Sequence, residues 1–201
     1  MKHQSKITFY DIPTLEEMAR VFLDKYHDKK HLEVDIEYIA EAKLGWCIMP
    51  FSSLTDLHGI EAFAVRGKTI YIDQYLMDHK ERKYRFTIAE ELAHVILHEQ
   101  LYEHCTSVEE HLDIYGDIKV EDYWRMDRNA KYLASAIILP AKNFEEKALE
   151  IYRSLDRKKY TTNEIIIYAI QSKLTELFNV NDIVVEIRFK NLGLHRKLLT
   201  L

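Results

Sequence analysis

The chain has 201 residues, 47% of them hydrophobic and 30% charged, with only 5 Gly and 3 Pro. That excludes collagen-like, low-complexity and largely disordered chains, which lack the apolar side chains to offset ordering entropy, and no apolar run approaches the roughly 18 residues of a membrane span. The net charge of −5 argues against nonspecific nucleic-acid binding, which needs Lys and Arg to neutralise phosphates. Residues 151–201 nevertheless hold 9 Lys and Arg against 5 Asp and Glu, which hints that the tail is a separate piece. The polar, basic start lacks the apolar stretch of a secretory signal. Cys47 and Cys105 are too few for a disulfide framework or a four-Cys zinc site. A cytoplasmic protein with reduced thiols is expected.

In chain order, Leu15, Met18, Ala19, Phe22 and Leu23 recur at helical spacing behind Pro13, predicting a helix over Thr14–Tyr26. A second helical stretch, Val34–Leu44, stops at Gly45. A short apolar run, Trp46–Phe51, follows. Glu61–Val65, the turn Arg66-Gly67-Lys68 and Thr69–Asp73 read as a hairpin, with Ile70 and Ile72 on one face. Strands in succession, not alternating with helices, predict an α+β fold. A charged link, Asp78–Lys83, precedes a helix over Tyr84–Gln100. An irregular acidic segment, His104 to Asp122, separates this from a helix over Tyr123–Leu139, stopped by Pro140. The remainder reads as helical, with Arg157-Lys158-Lys159 a solvated link. Two parts are expected: a domain over residues 1–145 and a helical extension over residues 146–201.

The helix over Tyr84–Gln100 is the informative one. With Glu90 at 0° and about 100° per residue, Ala89, Leu92, Ala93, Val95, Ile96 and Leu97 cover roughly 140° to 340°. Thr87, Glu90, Glu91, His94 and His98 share the remaining wedge. A helix so apolar is expected to be buried, and its carboxylates and imidazoles then need pairing, hydrogen bonds or a metal. In H-E-x-x-H the end residues lie on one face and hold zinc while the Glu activates water. Here Glu90-Glu91-Leu92-Ala93-His94 places Glu where the first His belongs. Downstream, Asp127 shares a helix face with Ala130, Ala134, Ile137 and Ile138, where small residues permit close approach to a second helix.

Arg85-Phe86-Thr87-Ile88-Ala89-Glu90-Glu91-Leu92-Ala93-His94-Val95-Ile96-Leu97-His98 is similar to the RFT-x-A-H-E-L-x-H-x-x-L-H signature of the ImmA/IrrE metallopeptidases. Asp127-x-x-Ala130-x-x-Leu133-Ala134 followed by Ile137-Ile138-Leu139-Pro140 resembles that family's E-x-x-A-x-x-F-A-x-x-L-L-M-P. The resemblance runs from about Leu32 to Pro140. It implies a zincin-like fold, a small sheet whose edge strand, Thr69–Asp73, packs on the active-site helix, and an intracellular endopeptidase. Such enzymes are often carried by phages and mobile elements and act on helix-turn-helix repressors. By position, Glu90, His94 and Asp127 would hold Zn²⁺, Glu91 would be the catalytic base, and His98 would support the ligands from behind. Two carboxylates and one imidazole add a negative charge to the usual set, so Mn²⁺, or no metal, is an alternative occupancy. A second register, with His94 and His98 gripping the metal, ranks behind the first.

Three further readings stay open. Glu90 in place of His is compatible with a non-catalytic relative that acts by binding protein, as a regulator or half of a toxin–antitoxin pair. His104, Cys105 and His111 match no standard metal spacing and read as a loop with surface histidines. The tail from Leu174 to Gly193 has helix-turn-helix rhythm, with Asn181 as N-cap and Gly193 as stop. It is read as a packed α-hairpin, with DNA contact through Arg188, Lys190, Arg196 and Lys197 as the lesser reading.

Overall fold

A computed structural model describes residues 7–103, 105–156, 158–160 and 162–199. The first helix, α1 (Ile12–Tyr26), starts where the Asp11 side chain accepts from Thr14 N–H, with Pro13 in the first turn. Next comes a single α-turn, α2 (Ile36–Tyr38), that widens into a π-turn over Ile39–Lys43 and ends at Gly45 with φ +71°. Strand β1 (Cys47–Phe51), the short α3 (Leu54–His58), β2 (Ala62–Val65) and β3 (Thr69–Asp73) complete the sheet region. The β2–β3 connection turns on Gly67 and Lys68, both left-handed at φ +90° and +62°, as tight hairpin turns require.

The sheet order is β1-β3-β2, with β1 parallel and β2 antiparallel to β3. Thr69–Asp73, expected at the edge, is therefore the central strand. The correction follows from β1: Cys47–Phe51 pairs along the side of β3 that a lone hairpin would leave open. The edge strand packed on the long helix is β2. Alternation sorts the faces. Ala62, Ala64, Ile70 and Ile72 join the main core, whereas Phe63 and Val65 join Leu54, Cys105 and Val108 in a smaller one.

Helix α4 (Gln74–His79) and the long α5 (Glu81–Tyr102) absorb the expected charged link. The expected irregular segment contains α6 (Val108–Gly116), capped by Ser107. Helix α7 (Val120–Ile138) packs along α5, where Ala89, Ala93, Ala130 and Ala134 are fully buried and let the two backbones approach. The chain closes with α8 (Ala141–Ser154), α9 (Asn163–Phe178), α10 (Asp182–Asn191) and α11 (Leu194–Leu199).

Two buried arginines tie these last helices to the rest. Arg85 on α5 donates to the carbonyls of Val34 (2.8 Å) and Phe178 (3.2 Å). Arg188 on α10, 0% exposed, donates to the Leu139 carbonyl at 3.0 Å and forms a double contact with Glu16 of α1. Arg188 is thus a packing residue, which corrects its inclusion among candidate DNA contacts. Lys197 pairs with Glu145 at 2.9 Å. Gly193 takes φ +66° at the expected stop, while Asn181 sits at the N-cap position of α10 without a side-chain capping bond. No helix among the described residues is long and apolar enough to cross a membrane.

Candidate metal centre

Glu90, Glu91 and His94 project from the middle of α5, and Asp127 comes from the second turn of α7. One ligand atom from each of Glu90, His94 and Asp127 lies within 4.8 Å of the others. The i, i+4 spacing puts Glu90 and His94 on one helical face, and the alanine contact of α5 with α7 sets Asp127 opposite. These residues line a cleft of about 460 Å³, walled by residues 59–62 leading into β2, by His111, Leu112 and Tyr115 of α6, and by Tyr123 and Lys131 of α7. A larger cavity, about 750 Å³, opens on the other side of α5 between α1 and α7. Its lining is mainly apolar and holds no metal-ligating trio.

Burial dominates the electrostatics. It pushes Glu90 up to about 7, the Asp127 charge adding to the effect and Lys131 opposing it. It pushes Glu91 up to about 8, reinforced by Glu90 and opposed by the Ala64 backbone. His94 falls to about 3, first through burial and then through His98 and His111. Glu91 Oε2 and His94 Nδ1 are buried with no hydrogen-bond partner among the described residues. A neutral imidazole and two carboxylate-bearing side chains converging in one cleft suit a borderline or hard divalent ion. A cation there would also oppose the penalty on Glu90 and Glu91, so the donor set fits a metal.

His98 lies apart from this trio. Its ring centroid is 6.1 Å from that of His94, and it is fully buried with both nitrogens unpartnered. Its backbone breaks the helix, at φ −137° and ψ 35°, a kink no spacing argument revealed. The Met126 backbone is near one ring nitrogen but outside hydrogen-bond geometry.

Of the residues read as a loop with surface histidines, His104 lies outside the described residues. Cys105 is buried and its carbonyl accepts from the Arg66 N–H at 2.6 Å, closing the end of the β2 edge. His111 is not a surface histidine. It is 6% exposed, stacks on Tyr115 at 4.3 Å between ring centroids, and faces the cleft. Tyr115 in turn meets the His94 ring edge-on at 6.3 Å and shares a 2.6 Å hydrogen bond with Tyr102. The sequence signal for this wall was the i, i+4 pair His111/Tyr115, hidden in a segment read as irregular. Lys131 was likewise missed: its Nζ is 2.9 Å from Asp127 and 3.8 Å from Glu90.

A small sheet backed by a buried helix, with carboxylates and an imidazole facing an edge strand, defines a zincin-like α+β domain. A peptidase-family model described as the IrrE N-terminal-like domain matches residues 51–190. The chain belongs to that family. The match runs across the expected boundary at residue 145 and includes most of the helical extension. A search of curated proteins found no match. Among solved structures, a Mycobacterium tuberculosis transcriptional regulator superimposes with a TM-score of 0.55 at 16% identity. The alignment covers 86% of this chain and 45% of that one. The chain therefore spans under half the length of that regulator, and the likeness is one of fold.

Proposed function

We propose that this chain is a metal-dependent endopeptidase acting on an extended segment of another protein, with Glu90, His94 and Asp127 as metal ligands and Glu91 as the base. The observation that carries this reading is the convergence of that trio, with Glu91 beside it, in a cleft at the start of β2. Zn²⁺ is the favoured ion and Mn²⁺ the alternative; when bound, it supplies Lewis acidity that polarises a peptide carbonyl and makes water a better nucleophile. Glu91 would accept the proton of the attacking water and pass it to the leaving amine; burial pushes its carboxyl up to about 8, so this role requires a cation in the cleft to favour the carboxylate form. Ala62, at the cleft, lies between the β3-paired Glu61 and Phe63, so its backbone groups face outward and can pair with a substrate strand, while the buried Ala64 turns its backbone to Glu91. Tyr115 and His111 wall off water on the α6 side. His98 packs behind His94, with its ring centroid 6.1 Å away.

The substrate proposed is a helix-turn-helix repressor, and the compartment the cytoplasm. This rests on the family resemblance. A second reading, a non-catalytic member that captures its partner in the same cleft, is favoured by Glu90 itself. A carboxylate in place of an imidazole neutralises more of the cation's charge and weakens its Lewis acidity. Elemental mass spectrometry on protein purified without chelator or added metal, beside His94→Ala, tests the first step. About one zinc or manganese per chain, lost in the variant, supports the metal reading. Candidate repressors are then incubated with wild type and with Glu91→Gln, which should keep metal while cleavage falls by roughly 10²–10⁴-fold. Metal binding without cleavage of any partner that co-purifies favours the second reading. Absence of metal after soaking rejects the first.

A further inference from the structure

The metal reading leaves one cation in the cleft without a role. Lys131 is the only Lys or Arg among the described residues lining it. It lies one helical turn beyond Asp127, so α7 geometry aims the two side chains together. Its Nζ donates to Asp127 Oδ2 at 2.9 Å and lies 3.8 Å from Glu90 Oε1 on the neighbouring helix. Two of the three side chains proposed to hold metal are thus already engaged by a positive charge belonging to the chain. The Lys131 side chain is 51% exposed, leaving its stem room to swing into solvent.

An ammonium and a divalent ion compete for these carboxylates. Their charges repel, and the hydrogen bond occupies a lone pair the metal would take. We infer that Lys131 is a tethered counter-ion, which holds the acidic pair together in the metal-free protein and must swing out before metal enters, thereby lowering metal affinity. This rests on the reading of Glu90, His94 and Asp127 as ligands. An ordinary i, i+4 surface pair would bridge only Asp127. Contact with Glu90, across the α5–α7 interface, is what joins Lys131 to the trio.

The test is metal affinity, measured by competition with a chromophoric chelator for Zn²⁺ alone and Mn²⁺ alone, in wild type, Lys131→Met and Lys131→Gln. Both variants should bind about tenfold more tightly, which corresponds to about 1.4 kcal/mol. Measurable but unchanged or weaker binding in the variants overturns the inference and leaves the metal site standing. No binding in any of the three rejects both. A variant-free readout covers misfolding of the substitutions: acetylation of Lys131 in wild type, followed by peptide mass mapping. Saturating Zn²⁺ should raise its labelling several-fold over chelator-treated protein, while labelling of exposed Lys173 stays constant. Equal Lys131 labelling, with zinc bound, overturns the inference.

Discussion

Replacing Glu16 with Gln removes the partner of a fully buried guanidinium. Both Arg188 terminal nitrogens reach the Glu16 carboxylate, and the Tyr132 hydroxyl donates to it at 2.6 Å. Removing one member of a buried pair costs about 3–5 kcal/mol, because the other charge stays desolvated. Glu16 is 28% exposed, and Gln keeps one acceptor, so about 2–3 kcal/mol is expected here. In a chain of this size that lowers Tm by about 5–10 °C. Urea denaturation followed by the fluorescence of Trp46 and Trp124 reads the difference. The pH dependence supplies a second check. Burial pushes the Glu16 carboxyl up, but the hydrogen bond and charge of Arg188 more than offset it, leaving its pKa below the ordinary 4.5. Its stabilisation is therefore fully present above 4.5 and is lost as pH falls through the lower folded value. The gap between wild type and Glu16→Gln should hold from pH 7 to about 5 and close at lower pH. A double variant, Glu16→Gln with Arg188→Met, should recover most of the loss. A difference under about 0.5 kcal/mol at pH 7, typical of a surface pair, or one that persists unchanged to pH 3, would refute this account of the clamp.

Asp73→Ala should destabilise by about 2 kcal/mol, since the buried carboxylate accepts from Thr55 N–H at 2.9 Å and Tyr75 N–H at 3.0 Å and both donors lose their acceptor. Denaturant titration of Asp73→Ala beside Asp73→Asn checks this; equal losses in the two would contradict the capping role. Glu90→His restores a second imidazole and should tighten Zn²⁺ binding roughly tenfold, or about 1.4 kcal/mol, with any repressor cleavage rising alongside. Chelator competition gives the affinity, and weaker zinc binding by the histidine variant would count against Glu90 as a ligand.

The helices were legible where a stripe met a stop signal: α1 behind Pro13, α7 ahead of Pro140, the turn at Gly45. So was the polar wedge of α5, because a 3.6-residue period needs no tertiary information. Strand order was not. Nothing local to Cys47–Phe51 states that it pairs with β3, and that long-range pairing displaced Thr69–Asp73 from the edge. Helix α6 was lost in an acidic stretch whose apolar positions, Val108, Leu112 and Tyr115, serve two different surroundings, the minor core and the cleft. Arg188 misled for a related reason. In sequence an arginine in a basic tail reads as surface charge, and only the docking of α10 on α1 supplies the buried carboxylate that lets it stay inside.

Glu90 and Lys131 make physical sense together. Glutamate at position 90 adds a negative charge to a cleft that already holds Asp127 and Glu91, and burial resists it, pushing Glu90 up to about 7. Lys131 opposes that shift, and its own pKa is raised: burial lowers it, but the Asp127 hydrogen bond and the Glu90 charge outweigh burial. The cleft can therefore be neutralised in two ways, by a divalent ion or by the ammonium of α7. A histidine at position 90 would remove one of the ammonium's two acidic neighbours and tilt the competition towards metal. On the proposed metal reading a carboxylate there serves both cations, and metal occupancy would be set by how much free ion surrounds the protein.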